Sequence, residues 1–134
     1  MSEERKVFGE VFGRQKKLKT KDLKVVLVTD VMNKTSNILL KLSFDMKAKK
    51  IKNSEVLSIC YRLFRSIKEI IEPYKEELSL EGFLDIEKEL TSELYKTEKR
   101  RIHRHTIHQL INVLNGLVDE LKAKHHIEDA MFIL

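Results

Sequence analysis

Residues 96–108 read Lys-Thr-Glu-Lys-Arg-Arg-Ile-His-Arg-His-Thr-Ile-His, and this stretch decides how the chain folds. It holds five Lys or Arg residues, three of the five histidines in the chain and one acid. Apolar residues recur at helical spacing before it, from Phe83 to Leu94, and after it, from Ile107 to Leu121. At about 100° per residue the two apolar stripes point roughly 120° apart, so one straight helix cannot turn both toward the same core.

Two arrangements satisfy this change of phase. A turn within residues 96–104 gives an antiparallel four-helix bundle. A continuous helix over residues 80–124 would be about 67 Å long, which exceeds one small domain and implies a dimer. Neither Gly nor Pro marks the turn, so the sequence leaves both arrangements open.

The rest of the chain has the signals of further helices. Thr20 begins the first, Asn53 or Ser54 caps the second, Pro73 ends the second, and Ser79 caps the third. The single Cys60 lies on the apolar stripe of the second helix, which predicts a buried thiol. The stripe predicted to be buried in the first helix consists of Leu27, Val31, Thr35, Ile38, Leu42 and Met46.

Length and composition favour one globular helical domain. The chain has 134 residues, of which 42% are hydrophobic and 35% charged, with only four Gly and one Pro. We predict an all-α, four-helix up-down bundle over residues 20–134, preceded by a flexible, partly disordered basic arm at residues 1–19. One cysteine, no secretory signal and no apolar run of membrane-spanning length predict a cytoplasmic protein that does not contact a membrane.

Charge is distributed unevenly along the chain. Residues 1–68 carry 17 Lys or Arg and 7 acids, whereas residues 69–98 carry 3 and 10. In an up-down bundle the turn at 47–52 and the turn at 96–104 lie at the same end, because two helices separate them. This end is the predicted anion-binding site, formed by Lys99, Arg100, Arg101, Arg104, Lys47, Lys49, Lys50 and Lys52.

These features predict a non-enzymatic binding or regulatory module for a polyanionic partner, either a nucleic acid or an acidic protein. The basic arm at residues 1–19 is expected to add affinity. Aromatic residues make up only 7% of the chain and Trp is absent, so we expect contacts mainly to phosphates rather than to bases. No cofactor is expected, and a homodimer is possible.

Two pairs in the same stretch suggest an enzyme instead. Arg100-x4-His105 and Arg101-x6-His108 resemble the Arg-x4–6-His motif of HEPN domains, small helical bundles of which many are metal-independent ribonucleases. The resemblance implies that the histidine helps to abstract a proton and that the arginine steadies the phosphate. The chain departs from the motif because the residue after the motif arginine, often polar and non-basic there, is Arg101 or Ile102 here.

A metal site is not expected among the histidines. On a helix His103 and His105 would point roughly 160° apart and could not share an ion. His105 and His108 could share one, but the neighbouring cations would repel it. A third class of function is a helical protein–protein adaptor that docks a partner through the apolar tail at residues 127–134.

Overall fold

Four α-helices form most of the chain that this computed structural model describes, namely residues 20–127 with side chains from residue 22 onward. They are α1 (Thr20–Lys47), α2 (Asn53–Ile71), α3 (Glu81–Leu94) and α4 (Arg104–Lys124). No residue in this range forms a β-strand, so the all-α fold is confirmed. The basic arm at residues 1–19 and the end of the apolar tail, residues 128–134, lie outside the described residues.

The helices form the expected up-down bundle. Each helix packs against the next, and α4 packs back along α1, where the two backbones make their most extensive close approach. Because consecutive helices are antiparallel, the turns at 48–52 and 95–103 lie at one end of the bundle. The connection between α2 and α3 lies at the other end, together with the start of α1 and the end of α4.

The turn before α4 resolves the choice that the sequence left open. Helix α3 ends at Leu94 and α4 begins at Arg104, so the long continuous helix is wrong. Ile102 lies within the turn, and only 3% of its surface is exposed. Its side chain therefore packs into the core. Lys99 has a φ of 54°, the left-handed conformation that the sequence would usually mark with Gly. The chain therefore reverses direction here although neither Gly nor Pro marks the turn in the sequence.

The connection between α2 and α3 agrees with the expected effect of Pro73. Helix α2 ends at Ile71, and a 3-10 helix follows directly over Glu72–Glu77 with Pro73 in its first turn. Proline has no N–H to donate and favours this position at a helix start. The predicted cap at Ser79 is wrong, because α3 begins after Leu80 without a side-chain cap.

The core is dominated by apolar side chains from all four helices. Phe64 of α2 and Phe83 of α3 stack with their ring centroids 4.1 Å apart, and burial of each such ring contributes about 2–3 kcal/mol. Cys60 is fully buried, as predicted. Its burial raises the pKa of the thiol to about 12, so the side chain behaves as a small hydrophobe.

Helix α1 buries a different face from the one predicted. Leu27, Val31 and Ile38 are 49%, 44% and 47% exposed, so the predicted stripe is wrong at these positions. The core side of α1 instead carries Val25, Met32 and Leu39, each fully buried. Apolar residues occupy most of the circumference of α1, and spacing alone therefore does not select the face that packs.

Small side chains explain which side of α1 meets α4. Thr29, Ser36 and Ser43 recur every seven residues, so they lie along one stripe of the helix, and all three are buried. Ser43 contacts α4 directly through a hydrogen bond to His108. Side chains of this size let the two backbones approach closely, and this approach fixes the rotation of α1 about its axis.

Candidate functional site

The two turns predicted to share one end of the bundle are joined there by Asn53. Its side-chain Nδ2 donates to the carbonyl oxygen of Ile102 at 2.9 Å, and its Oδ1 accepts from the Ile102 backbone N–H at 2.5 Å. The prediction that Asn53 or Ser54 caps α2 is therefore wrong, because the residue before the helix is Lys52 and the Asn53 amide pairs with the neighbouring turn. We call residues 45–55 and 95–104 together the basic pole.

The connecting segments at the two ends of the bundle differ in charge. Within the basic pole, residues 45–55 carry four Lys and two acids, and residues 95–104 carry five Lys or Arg and one acid. At the other end, residues 72–81, which we call the acidic pole, carry four Glu and one Lys. The connection between α2 and α3 is therefore acidic, whereas both turns of the basic pole carry net positive charge.

One cleft of the basic pole gathers four of the predicted anion-binding residues. Lys49, Lys50, Lys52 and Arg104 line it, together with Met46, Ile51 and Asn53. The Nε of Arg104 donates to Ser43 Oγ at 3.2 Å, which anchors one edge of the guanidinium. Within residues 22–127 no ion pair involves any of these four cations. Their charge is available to a ligand.

Two helices begin beside this cleft. Helix α2 starts after Lys52 and α4 starts after His103, and neither start has a side-chain cap among the described residues. The first N–H groups of a helix lack intrahelical partners and carry the positive end of the helix dipole. Both starts therefore add positive potential to that of the side chains.

The remaining predicted cations lie elsewhere on the basic pole. Arg100 lines a second cleft with Arg62, and its Nε donates to the carbonyl oxygen of Lys96 at 2.5 Å. Lys47, Lys99 and Arg101 are exposed. The structure thus brings Arg104 together with three lysines, and it places Arg100 on the neighbouring side of the pole. The other residues that line the second cleft, besides Arg62 and Arg100, are Ser54, Glu55, Leu57, Ser58, Ile59 and Leu94.

Glu93 neutralises one cation at the edge of the basic pole. Lys96 Nζ lies 2.7 Å from Glu93 Oε1, and this hydrogen bond, with a further contribution from Arg101, lowers the pKa of the Glu93 carboxyl. The other oxygen, Oε2, is buried and has no hydrogen-bond partner among the described residues. Lys96 is thus engaged within the fold.

The residues of the HEPN-like pairs have other neighbours. His108 Nε2 lies 3.0 Å from Ser43 Oγ, the hydroxyl that also accepts from Arg104. His105 is exposed on α4, whereas Arg100 lines the second cleft. In the described part of the chain no hydrogen bond joins Arg100 to His105 or Arg101 to His108. Ser43 is only 1% exposed, so its contact with His108 ties α1 to α4 and does not offer a hydroxyl to a substrate.

Sequence reasoning missed the roles of Ser43 and Asn53. Both are polar residues of common type, and their partners lie 49 to 65 positions away along the chain. No local pattern distinguishes an asparagine that caps a helix from one that pairs with a distant backbone. The alternation of helices was the available signal, because it already placed the two turns at one end.

The described residues contain neither a group of metal ligands nor a membrane-spanning helix. Between residues 20 and 127 no three His, Cys, Asp or Glu side chains are grouped so that they could hold a metal ion. None of the helices in that range combines the length and the apolar composition needed to span a bilayer.

Comparison of the chain with protein-family models, with curated proteins and with solved structures finds no match. The site is therefore interpreted from its own geometry and charge.

Proposed function

We propose that this protein is a non-enzymatic helical module that binds a polyanionic partner through the basic pole, and that the partner is a nucleic acid. One observation carries the proposal: Lys49, Lys50, Lys52 and Arg104 line one cleft and have no ion-pair partner among residues 22–127. Like charges held close together repel, and a bound anion relieves that repulsion.

Phosphate groups suit this arrangement for two further reasons. The guanidinium of Arg104 is anchored by Ser43, so little side-chain freedom remains to be lost when it binds. The cations also continue onto the second cleft through Arg100 and Arg62, which favours an extended chain of charges over a single small anion. Binding to such a chain releases counterions, and this release makes affinity depend steeply on salt.

The test is a salt titration of binding to a generic nucleic acid, followed by fluorescence anisotropy. For single strands the slope of log K against log salt is about −0.7 per phosphate contact, so four contacts give a slope near −3. The variant with Lys49, Lys50, Lys52 and Arg104 replaced by Ala should bind about 600-fold more weakly near 0.1 M salt, with a correspondingly smaller slope.

A charge-matched control replaces Lys24, Lys34, Lys75 and Lys88, which are exposed and lie outside the basic pole. This control should bind like the unmodified protein. Salt-independent binding, or an equal loss in both variants, would contradict the proposal. Displacement by polyglutamate but not by nucleic acid would point to an acidic protein, and RNA cleavage in EDTA that His105→Ala or His108→Ala abolishes would point to the ribonuclease.

One observation favours a second role in self-association. Leu23, Leu27, Val31 and Ile38 form an exposed apolar stripe on the outer side of α1, each 40–49% exposed. We infer that a second copy covers it, because an antiparallel two-fold pairing near Val31 would place the Asp30–Lys34 ion pair of one copy beside the same pair of the other, with opposite charges facing. Apolar faces of this kind are characteristic of protein contacts.

Analytical ultracentrifugation tests this role. The protein should sediment as a dimer at high concentration, and Leu27→Glu should make it a monomer, whereas the control Leu84→Glu on α3 should not. A monomer at every concentration would overturn it. The adaptor function predicted for the apolar tail concerns residues that are mostly outside the described range.

A further inference from the structure

Two aromatic rings are exposed in the described part of the chain: Tyr95 belongs to the basic pole, and Phe44 directly precedes it in α1. Tyr95, which follows α3, is 86% exposed, and Phe44, in the last turns of α1, is 60% exposed. Among the eight large hydrophobic side chains exposed in residues 22–127, these two have the highest exposed fractions. Their location separates them from the aliphatic stripe of α1, which begins near the other end of the helix.

The other described aromatic side chains have partners inside the fold. Phe64 and Phe83 stack on each other in the core. Tyr61 accepts a hydrogen bond from Arg65 through its hydroxyl, and Tyr74 packs edge-on against His125. Exposure is therefore not a general property of aromatic residues in this protein. Among the described aromatic residues, exposure of 60% or more occurs only near the end of the bundle that carries the cations without ion-pair partners.

Exposed rings beside cations have a specific chemical use. Every nucleobase presents a π face, and stacking on an aromatic side chain strengthens binding whatever the base. In duplexes the bases are already stacked on each other, so a free ring can accept a base only from a single strand or a splayed end. The combination of cationic clefts and exposed rings therefore favours single-stranded over duplex nucleic acid.

We propose that the basic pole binds single-stranded nucleic acid, with bases stacked on Phe44 and Tyr95 and phosphates held by the cationic clefts. The inference rests on the proposed function and narrows its ligand from nucleic acid in general to single strands. It also differs from the expectation from composition, which predicted contacts mainly to phosphates. Composition counts aromatic residues, whereas stacking depends on where the few that are present lie.

The arrangement of the helices sets the length of strand required. Phe44 belongs to α1 and Tyr95 follows α3, and these helices occupy diagonal corners of the bundle because each packs against α2 and α4. With neighbouring axes 8–10 Å apart, diagonal axes are about 13 Å apart. A strand of several nucleotides would cross the pole between the two rings and pass the cleft of Arg104.

The experiment compares three probes of equal length: an oligothymidylate of about 12 nucleotides, the same phosphodiester chain without bases, and a duplex. The unmodified protein should bind oligothymidylate most tightly, and Tyr fluorescence should be quenched on binding. Phe44→Ala with Tyr95→Ala should weaken binding of oligothymidylate about 30-fold or more and leave the abasic chain unaffected. The double replacement by Trp should retain affinity for the oligothymidylate.

The matched control is Leu84→Ala, which removes exposed apolar surface away from the basic pole and from the proposed dimer contact. This control should bind all three probes normally. Equal affinity for oligothymidylate and the abasic chain, or tighter binding of the duplex, would overturn base stacking while the salt-dependent binding of the proposed function remains. Absence of salt-dependent binding to any probe would instead defeat the proposed function, and the stacking proposal with it.

Discussion

The two poles of the bundle use their charges in opposite ways. At the acidic pole, charged groups hold the fold together: Glu120 accepts the Ser79 N–H at 2.6 Å, Glu77 Oε2 lies 2.9 Å from His125 Nε2, and Lys124 donates to the Glu77 carbonyl. At the basic pole, the uncharged amide of Asn53 joins the two turns, and the cations that line the main cleft form no ion pair within residues 22–127.

This difference would allow a small bundle to keep the groups that hold the fold together apart from those that we propose bind a ligand. Where a neutral hydrogen-bonding group closes the structure, the neighbouring charges are not needed for folding. They can then be placed for a ligand, at the cost of some repulsion. At the acidic pole two of the four carboxylates have partners within the fold, Glu72 with Lys75 and Glu77 with His125.

The largest effect on stability should come from removing the bridge at the basic pole. Asn53→Ala leaves the N–H and carbonyl of Ile102 without partners in a partly buried position, and we expect a loss of about 2 kcal/mol in the free energy of unfolding. Urea denaturation measures this loss. Asn115→Ala, at an exposed position of α4, is the control and should change stability by less than about 0.5 kcal/mol. Equal effects of the two variants would show that the bridge does not close the pole.

A smaller effect is expected at the acidic pole. Glu120→Gln keeps an acceptor for the Ser79 N–H but removes the charge that strengthens this hydrogen bond, so we expect a loss of about 1 kcal/mol. The loss should shrink in high salt, whereas the loss caused by Asn53→Ala should not. If both losses respond to salt in the same way, the contrast between charged and neutral closure is wrong.

The smallest effect should appear at Glu93, where the basic pole does pair a charge. The hydrogen bond from Lys96 lowers the pKa of this carboxyl below its ordinary value of 4.5. The folded state therefore gains stability above that value, and the gain is lost as pH falls through the lowered pKa. The difference in urea midpoint between the unmodified protein and Glu93→Gln should accordingly be largest near neutral pH and vanish in acid. A difference that grows on acidification would contradict the pairing.

Much of the candidate site could be anticipated from particular residues. The phase change between the stripes ending at Leu94 and beginning at Ile107 allowed either a turn or a long helix. For the arrangement with a turn, alternation of helices placed the lysines near position 50 at the same end as Arg104. The division of the cations between two clefts could not be anticipated, because it depends on how the turn lies on α2. The exposure of Phe44 and Tyr95 could not be predicted from the sequence either, because burial depends on how the helices pack.

By itself, the sequence determined the helical stretches, the change of phase between the stripes ending at Leu94 and beginning at Ile107, and the unequal charges of the turns. These follow from periodicity, from the geometry of the helix and from the order of residues along the chain. Only the tertiary structure decided which face of α1 is buried, which group Asn53 binds and which rings remain in solvent. Helix α1 is apolar around most of its surface, so its own sequence is compatible with several rotations, and the close approach of α4 against Ser43 selects one of them.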